Sequence, residues 1–194
     1  MVKLAALRQR DGVSCGPAVA VVAGALLDSG YRANLEDSTW FDGEQGRVHA
    51  AANRIWPRAL GTTPWGMAKT ISGHSAAHHV RYGWRLLRRH DALADVERAV
   101  RAHWPVAMLI GSDIPWAIPR HWVLIVDCRG ETLHCYEPSS GEVLPVSKAS
   151  VRGARLSGLG YPRAFAFVLP RYRLPEEKAN ICSPGSPMNC PKCP

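Results

Sequence analysis

The run SCGPAVAVVAGALL, residues 14–27, carries no charged side chain. A helix that is apolar all round has no face to offer water and must be enclosed by other elements. The chain is therefore expected to fold around a mostly buried first helix, from residue 14 to about residue 28. Ser14 can cap it and Pro17 suits its first turn. Cys15 then sits at a helix N-terminus, where the aligned peptide dipoles favour negative charge. The expectation is a lowered thiol pKa and a raised thiolate fraction. Gln9, six positions upstream, carries an amide able to donate to an oxyanion. This is how a cysteine hydrolase builds its nucleophile, provided the chain also supplies a base.

With 194 residues and 46% apolar content, the sequence suits one domain plus a tail. Residues 1–170 read as the domain. Residues 171–194 turn to Pro, Ser, Gly, Asn and Lys and read as a poorly ordered tail. The net charge of +8 is carried mostly by dispersed arginines, with only Arg88 and Arg89 adjacent. No basic stretch interleaved with aromatics suggests a base-stacking groove, so nucleic acid is not an expected partner. No apolar run reaches membrane-spanning length, and MVKLAALRQR is too short and too soon charged for a secretory signal. It reads as a first strand. The expected location is cytoplasmic, with export by a non-classical route left open.

The cysteines follow the same logic. Cys15, Cys128 and Cys135 lie in the body, and Cys182, Cys190 and Cys193 in the tail. Without a signal, reduced thiols are expected. Cys190 and Cys193 have the spacing of half a zinc knuckle, Cys182 offers a third ligand, and a fourth is missing. Incidental or redox-labile thiols are the simpler reading, so no cofactor or metal is expected.

Along the body, a Gly/Asp-rich stretch follows the first helix. Gln45 to Trp56 reads as a second helix stopped by Pro57, and Thr63 and Pro64 open a short third one to about Ser72. His78 to Leu86 alternates like a strand, and Asp91 can cap a helix running to His103. From Pro105 the runs VAMLIG, HWVLIVD, TLHCYEP and EVLPVS are short and β-rich, and AFAFVLP reads as a last strand. Helices dominate the first half and strands the second, which gives an α+β fold.

Of eight histidines, His49, His74, His78, His79, His90 and His103 have polar, helical or loop surroundings and read as surface or partly packed residues. His121 and His134 lie in the strand region. A three-residue hairpin loop of Cys128, Arg129 and Gly130, with the glycine left-handed, sets Asp127 opposite Glu131 and His121 opposite Glu137. Opposed side chains touch, so Glu137 can orient the His121 ring and fix its tautomer. Asp127 lies too far along the strand for that task, and His134 points to the other face from Glu137. Cys128 and Cys135 fall out of register and are not expected to form a disulfide. Taken alone, a His121–Glu137 pair is an exposed cross-strand contact worth about 0.2–1 kcal/mol. Beside the Gln9…Cys15 element, it completes a nucleophile, a base and an orienting acid.

In this order, Gln9, then Cys15-Gly16-Pro17, GTTPW from Gly61, PVAMLIG from Pro105, PRHWVLIV with His121 and YEPSSG with Glu137 resemble papain-like cysteine peptidases. The chain is most similar to the bacteriocin-processing (double-glycine leader) peptidases and their standalone relatives. The resemblance spans residues 9 to about 145, with the last strand near residue 167. It implies a papain-like fold with the cysteine helix packed on an antiparallel sheet that carries the histidine and the acid. It further implies Cys15 as nucleophile, His121 as base, Glu137 as third member and Gln9 as oxyanion donor. The substrate would be a peptide or protein. The family usually has Asp or Asn where Glu137 stands, and the chain shows no ABC-transporter segments. A non-catalytic papain-like module that binds peptides or proteins is the alternative. Deamidation or acyl transfer by the same residues is another.

Overall fold

A helix without a polar face dictates the layout. In the computed structural model, which describes residues 7–53, 57, 60–87, 91–112 and 120–171, α1 (Cys15–Leu27) is buried from Cys15 through Ala25. Two further helices, α3 (Ser38–Ala52) and α4 (Pro64–His74), pack against α1, and strand β3 (Arg120–Arg129) meets it from the sheet. Thr63 caps α4 by accepting the Gly66 N–H at 3.1 Å, with Pro64 at its first position, as the sequence predicts.

The second helix starts earlier than Gln45. Asp37 accepts the N–H groups of Thr39 at 2.8 Å and Trp40 at 3.2 Å, and the helix runs from Ser38 to Ala52. Its buried stripe, Phe41, Glu44, Gln45, Val48, His49 and Ala52, has helical spacing, and it draws His49 into the core rather than to the surface. The expected end at Trp56 falls among residues 54–56, outside those described, but Asn53 already occupies the C-cap. The Gly/Asp-rich stretch holds one more short helix, α2 (Ser29–Arg32), capped by Asp28.

The remaining elements are β1 (Arg81–Leu86), α5 (Asp91–Arg101), β2 (Val106–Gly111), β4 (Thr132–Glu137), β5 (Glu142–Ser147), α6 (Lys148–Arg152) and β6 (Arg163–Arg171). The side chain of Asp91, expected as a cap, lies outside what is described. The six strands form one antiparallel sheet in the order β1-β6-β2-β3-β4-β5. Ala107, Leu109, Trp122, Leu124, Tyr136, Ala166 and Val168 face α1. Met108, Ile110, Val123, Ile125, Cys135 and Phe167 face α5. Covered on both faces, β2 and the middle of β3 read as continuous apolar runs rather than alternating ones. The fold is thus α+β.

Residues 7–10 form no strand. They run as a strap fixed by other elements: Tyr136 Oη donates to Leu7 O at 2.6 Å, and Gln9 N–H donates to Pro138 O at 2.7 Å. The fully buried Gln45 amide clamps the same strap, donating to Arg8 O at 3.1 Å and accepting the Arg10 N–H at 3.0 Å. Residues 1–6 and the tail from residue 172, with its three cysteines, lie outside the described residues.

Candidate active site

Cys15 is the first residue of α1 and is 5% exposed. Ser14 occupies the N-cap position but does not cap with its side chain. Its hydroxyl is engaged by Asp11, accepting that residue's N–H at 2.9 Å and donating to its carbonyl at 3.1 Å. The expected cap is therefore replaced by a tight Asp11–Ser14 turn. The first N–H groups of α1 consequently keep no side-chain acceptor from Ser14, and those of Cys15 and Gly16 bear on the thiol instead.

The backbone N–H of Trp122 also bears on the thiol. Trp122 is the residue after His121, so the helix tip and the start of β3 come together. Gly16 makes the approach possible. A Cβ at this position would fall 2.6 Å from Thr62 Cβ and Oγ1 and 3.2 Å from Trp122 Cδ1. Trp122, itself in the core, donates from Nε1 to Thr62 O at 2.8 Å. Sequence reasoning missed Thr62, although it lies inside the GTTPW motif.

His121 and Glu137 meet as expected, but through a different register. Arg129 pairs with Thr132, so the hairpin loop is two residues, Gly130 and Glu131, with Gly130 at φ +55. Asp127 consequently faces His134, not Glu131, and a bulge falls between Ile125 and Asp127. Leu124 pairs with Tyr136, which sets His121 diagonal to Glu137 rather than directly opposite. Long side chains span a diagonal pair. The extra methylene of glutamate suits that reach, and His121 Nε2 lies 2.6 Å from Glu137 Oε1 with both side chains buried.

An ionised carboxylate only accepts, so Nε2 carries the proton and Nδ1 holds the lone pair. Glu137 is itself held by the N–H groups of Ser139 at 3.0 Å and Ser140 at 2.7 Å, a feature signalled by the Ser-Ser-Gly that follows it. The Tyr161 ring stacks on His121 with centroids 6.1 Å apart.

The charge states follow from burial and these bonds. Burial raises the Glu137 pKa, but the Ser139 and Ser140 N–H groups and His121 outweigh it and hold the carboxyl below its usual range. Burial pushes the His121 imidazole down, and Glu137 offsets this only in part. For Cys15, burial pushes the thiol up and outweighs the N–H groups of Trp122, Gly16 and Cys15. The expected depression of the thiol pKa is overturned, because desolvation of a buried sulfur exceeds the stabilisation from a helix tip. The resting group is a thiol, a neutral imidazole and a carboxylate. Among the described residues, no hydrogen bond joins the Cys15 thiol to the His121 ring.

Gln9 lies beside the acid's loop. Its Oε1 accepts from Ser139 Oγ at 3.2 Å, and its Nε2 donates to Asp11 O at 2.9 Å. One amide hydrogen is thereby engaged and a second is left for another acceptor. Among the other cysteines, Cys128 and Cys135 are free, Cys128 pairs with Leu133, and burial pushes the Cys135 thiol up to about 12.

Among the described residues, no group of three His, Cys, Asp or Glu side chains is placed to hold a metal ion. The candidate zinc ligands Cys182, Cys190 and Cys193 fall outside them. No helix in the described residues is long and apolar enough to cross a membrane. No protein-family model matches the chain, and no curated protein shows significant similarity to it.

Proposed function

We propose that this chain is a papain-like cysteine peptidase that hydrolyses an amide bond in a peptide or protein through Cys15, His121 and Glu137. The observation that carries the reading is the buried 2.6 Å contact between His121 Nε2 and Glu137 Oε1, one residue from Trp122, whose N–H bears on the Cys15 thiol. As the sulfur attacks the carbonyl carbon, its proton passes to His121 Nδ1. Glu137 stabilises the imidazolium that results. The Cys15 N–H and the Gln9 amide hold the developing oxyanion. The imidazolium then gives its proton to the leaving amine, and water releases the thioester. Because the resting pair is neutral, His121 acts as a general base on a thiol rather than as the partner of a standing thiolate. Deamidation and acyl transfer use the same intermediate with a different amide or a different acceptor.

The test is cleavage of a broad peptide library by the wild-type protein beside Cys15→Ala. Cleavage lost in Cys15→Ala, with a thioester-linked acyl group trapped on the wild type, is the expected outcome. Equal cleavage by both proteins overturns the mechanism.

A further inference from the structure

Among the described residues the sheet ends on β1, which pairs with β6 alone. In an antiparallel ladder, alternate residues turn both backbone groups away from the partner strand. The phase is fixed at two points. Tyr82 lies opposite Pro170, which has no N–H, and Tyr82 N–H donates instead to Ser72 Oγ at 2.9 Å. Leu87 N–H donates to Phe165 O at 2.9 Å. Trp84 and Leu86 therefore present N–H and C=O to the open side, and their side chains are 42% and 43% exposed. An edge of this kind accepts another strand.

Beside it, α4 and β1 enclose a groove of about 690 Å³. Trp65, 61% exposed, and Trp84 stand in its wall with Lys69, Arg81 and Arg171, and no carboxylate of the described residues lines it. None of the three cations is ion-paired among the described residues. Lys69 lies over the Trp65 ring at 5.6 Å. Arg171 lies across Gly83, where a Cβ would fall 1.9 Å from its Nε, so the bare glycine is what lets the guanidinium rest on the strand.

Charge decides what fits. A second copy of β1 would bring no carboxylate of its own to Arg81, since the strand's six residues, Arg81–Leu86, include no acid. A nucleic-acid strand answers the cations but has no amide ladder to match Trp84 and Leu86. We propose that this groove docks an extended acidic peptide segment of a partner protein, added to the sheet along β1. Its carboxylates meet Lys69, Arg81 and Arg171, and an apolar side chain lies between Trp65 and Trp84. The proposal does not rest on the peptidase reading, because β6 and β2 separate β1 from the strand carrying His121.

The experiment is fluorescence anisotropy of a labelled alternating Glu-Val heptapeptide with the full chain. A Glu-to-Lys version, a version with proline at alternate positions and a single-stranded oligonucleotide serve as comparison probes. Saturable binding of the Glu-Val peptide is expected. It should weaken at least tenfold with proline or lysine in the peptide, and at least tenfold in Lys69→Glu/Arg81→Glu. The surface variant Trp84→Ala, checked for an unchanged circular dichroism spectrum, should also weaken it. Absence of saturable binding, equal binding of the proline version, or tighter binding of the oligonucleotide each overturns the proposal. So does a dimer that the peptide dissociates, since a second copy would then own the edge.

Discussion

At the scale of single residues, the burial of Cys15 governs the chemistry. A sulfur held as thiol reacts with a small electrophile only after it loses its proton. Alkylation of Cys15 by iodoacetamide is therefore expected to keep rising with pH toward and beyond 9, without the plateau near neutrality that a preformed ion pair would give. A flat profile between pH 6 and pH 8 would refute the neutral pair. In the proposed mechanism Gln9 acts on a different step. Loss of one oxyanion donor costs about 2.7–4 kcal/mol, so Gln9→Ala is expected to lower kcat by about 100- to 1000-fold with little change in KM. A change confined to KM would assign Gln9 to substrate binding instead. Glu137 was legible as His121's partner from sequence because the register beyond the bulge differs from the expected one by two residues, an even shift that keeps both side chains on one face. Thr62 and the Asp11–Ser14 turn were not, because nothing in local spacing reports which side chain a hydroxyl will choose.

At the scale of elements, the junction of α1 with β3 rests on the missing side chain of Gly16. Alanine normally favours a helix over glycine by about 0.5–1 kcal/mol. Here its methyl would meet Thr62 at 2.6 Å, and overpacking costs about 1–3 kcal/mol, so the clash wins. Gly16→Ala is expected to lower stability in urea denaturation and to slow Cys15 alkylation, because the helix tip must move away from Trp122. Unchanged values for both would show that Thr62 yields freely. Helices α1 and α4 were readable from an apolar run and from a Thr-Pro start. The early start of α3 was hidden because its cap, Asp37, lies in a stretch whose glycines read as loop. The hairpin loop was expected one residue too long and displaced along the chain, because Gly130 signals a left-handed position in both a two-residue and a three-residue loop. Asp127 pairs with His134 instead of Glu131, and the bulge in β3 takes up one residue of that shift.

At the scale of the whole molecule, the site imposes a pH dependence on stability. The folded pKa of Glu137 lies below its unfolded value, so its contribution is present above about pH 4.5 and lost as pH falls through the folded value. The folded pKa of His121 is also lowered. Below about 6.5 the unfolded chain takes a proton that the folded chain refuses, so stability again falls on acidification. Both signs agree, and Tm is expected to drop progressively from pH 7 to pH 4. His121→Phe should flatten the upper part of that decline, between about pH 6.5 and pH 5. A variant curve parallel to wild type would remove His121 as a source. The α+β class was legible because helical and strand periods segregate along the chain. The strand order was not, since β6 enters between β1 and β2 from the far end of the sequence.

The strap that bears Gln9 is anchored to residues 129 and 130 positions away, at Tyr136 and Ser139. During synthesis the sulfur emerges well before the ring, its acid and the strap's moorings. A nascent or truncated polypeptide thus carries an isolated thiol without those neighbours, which assemble only when the fourth strand closes a long loop back onto the strap.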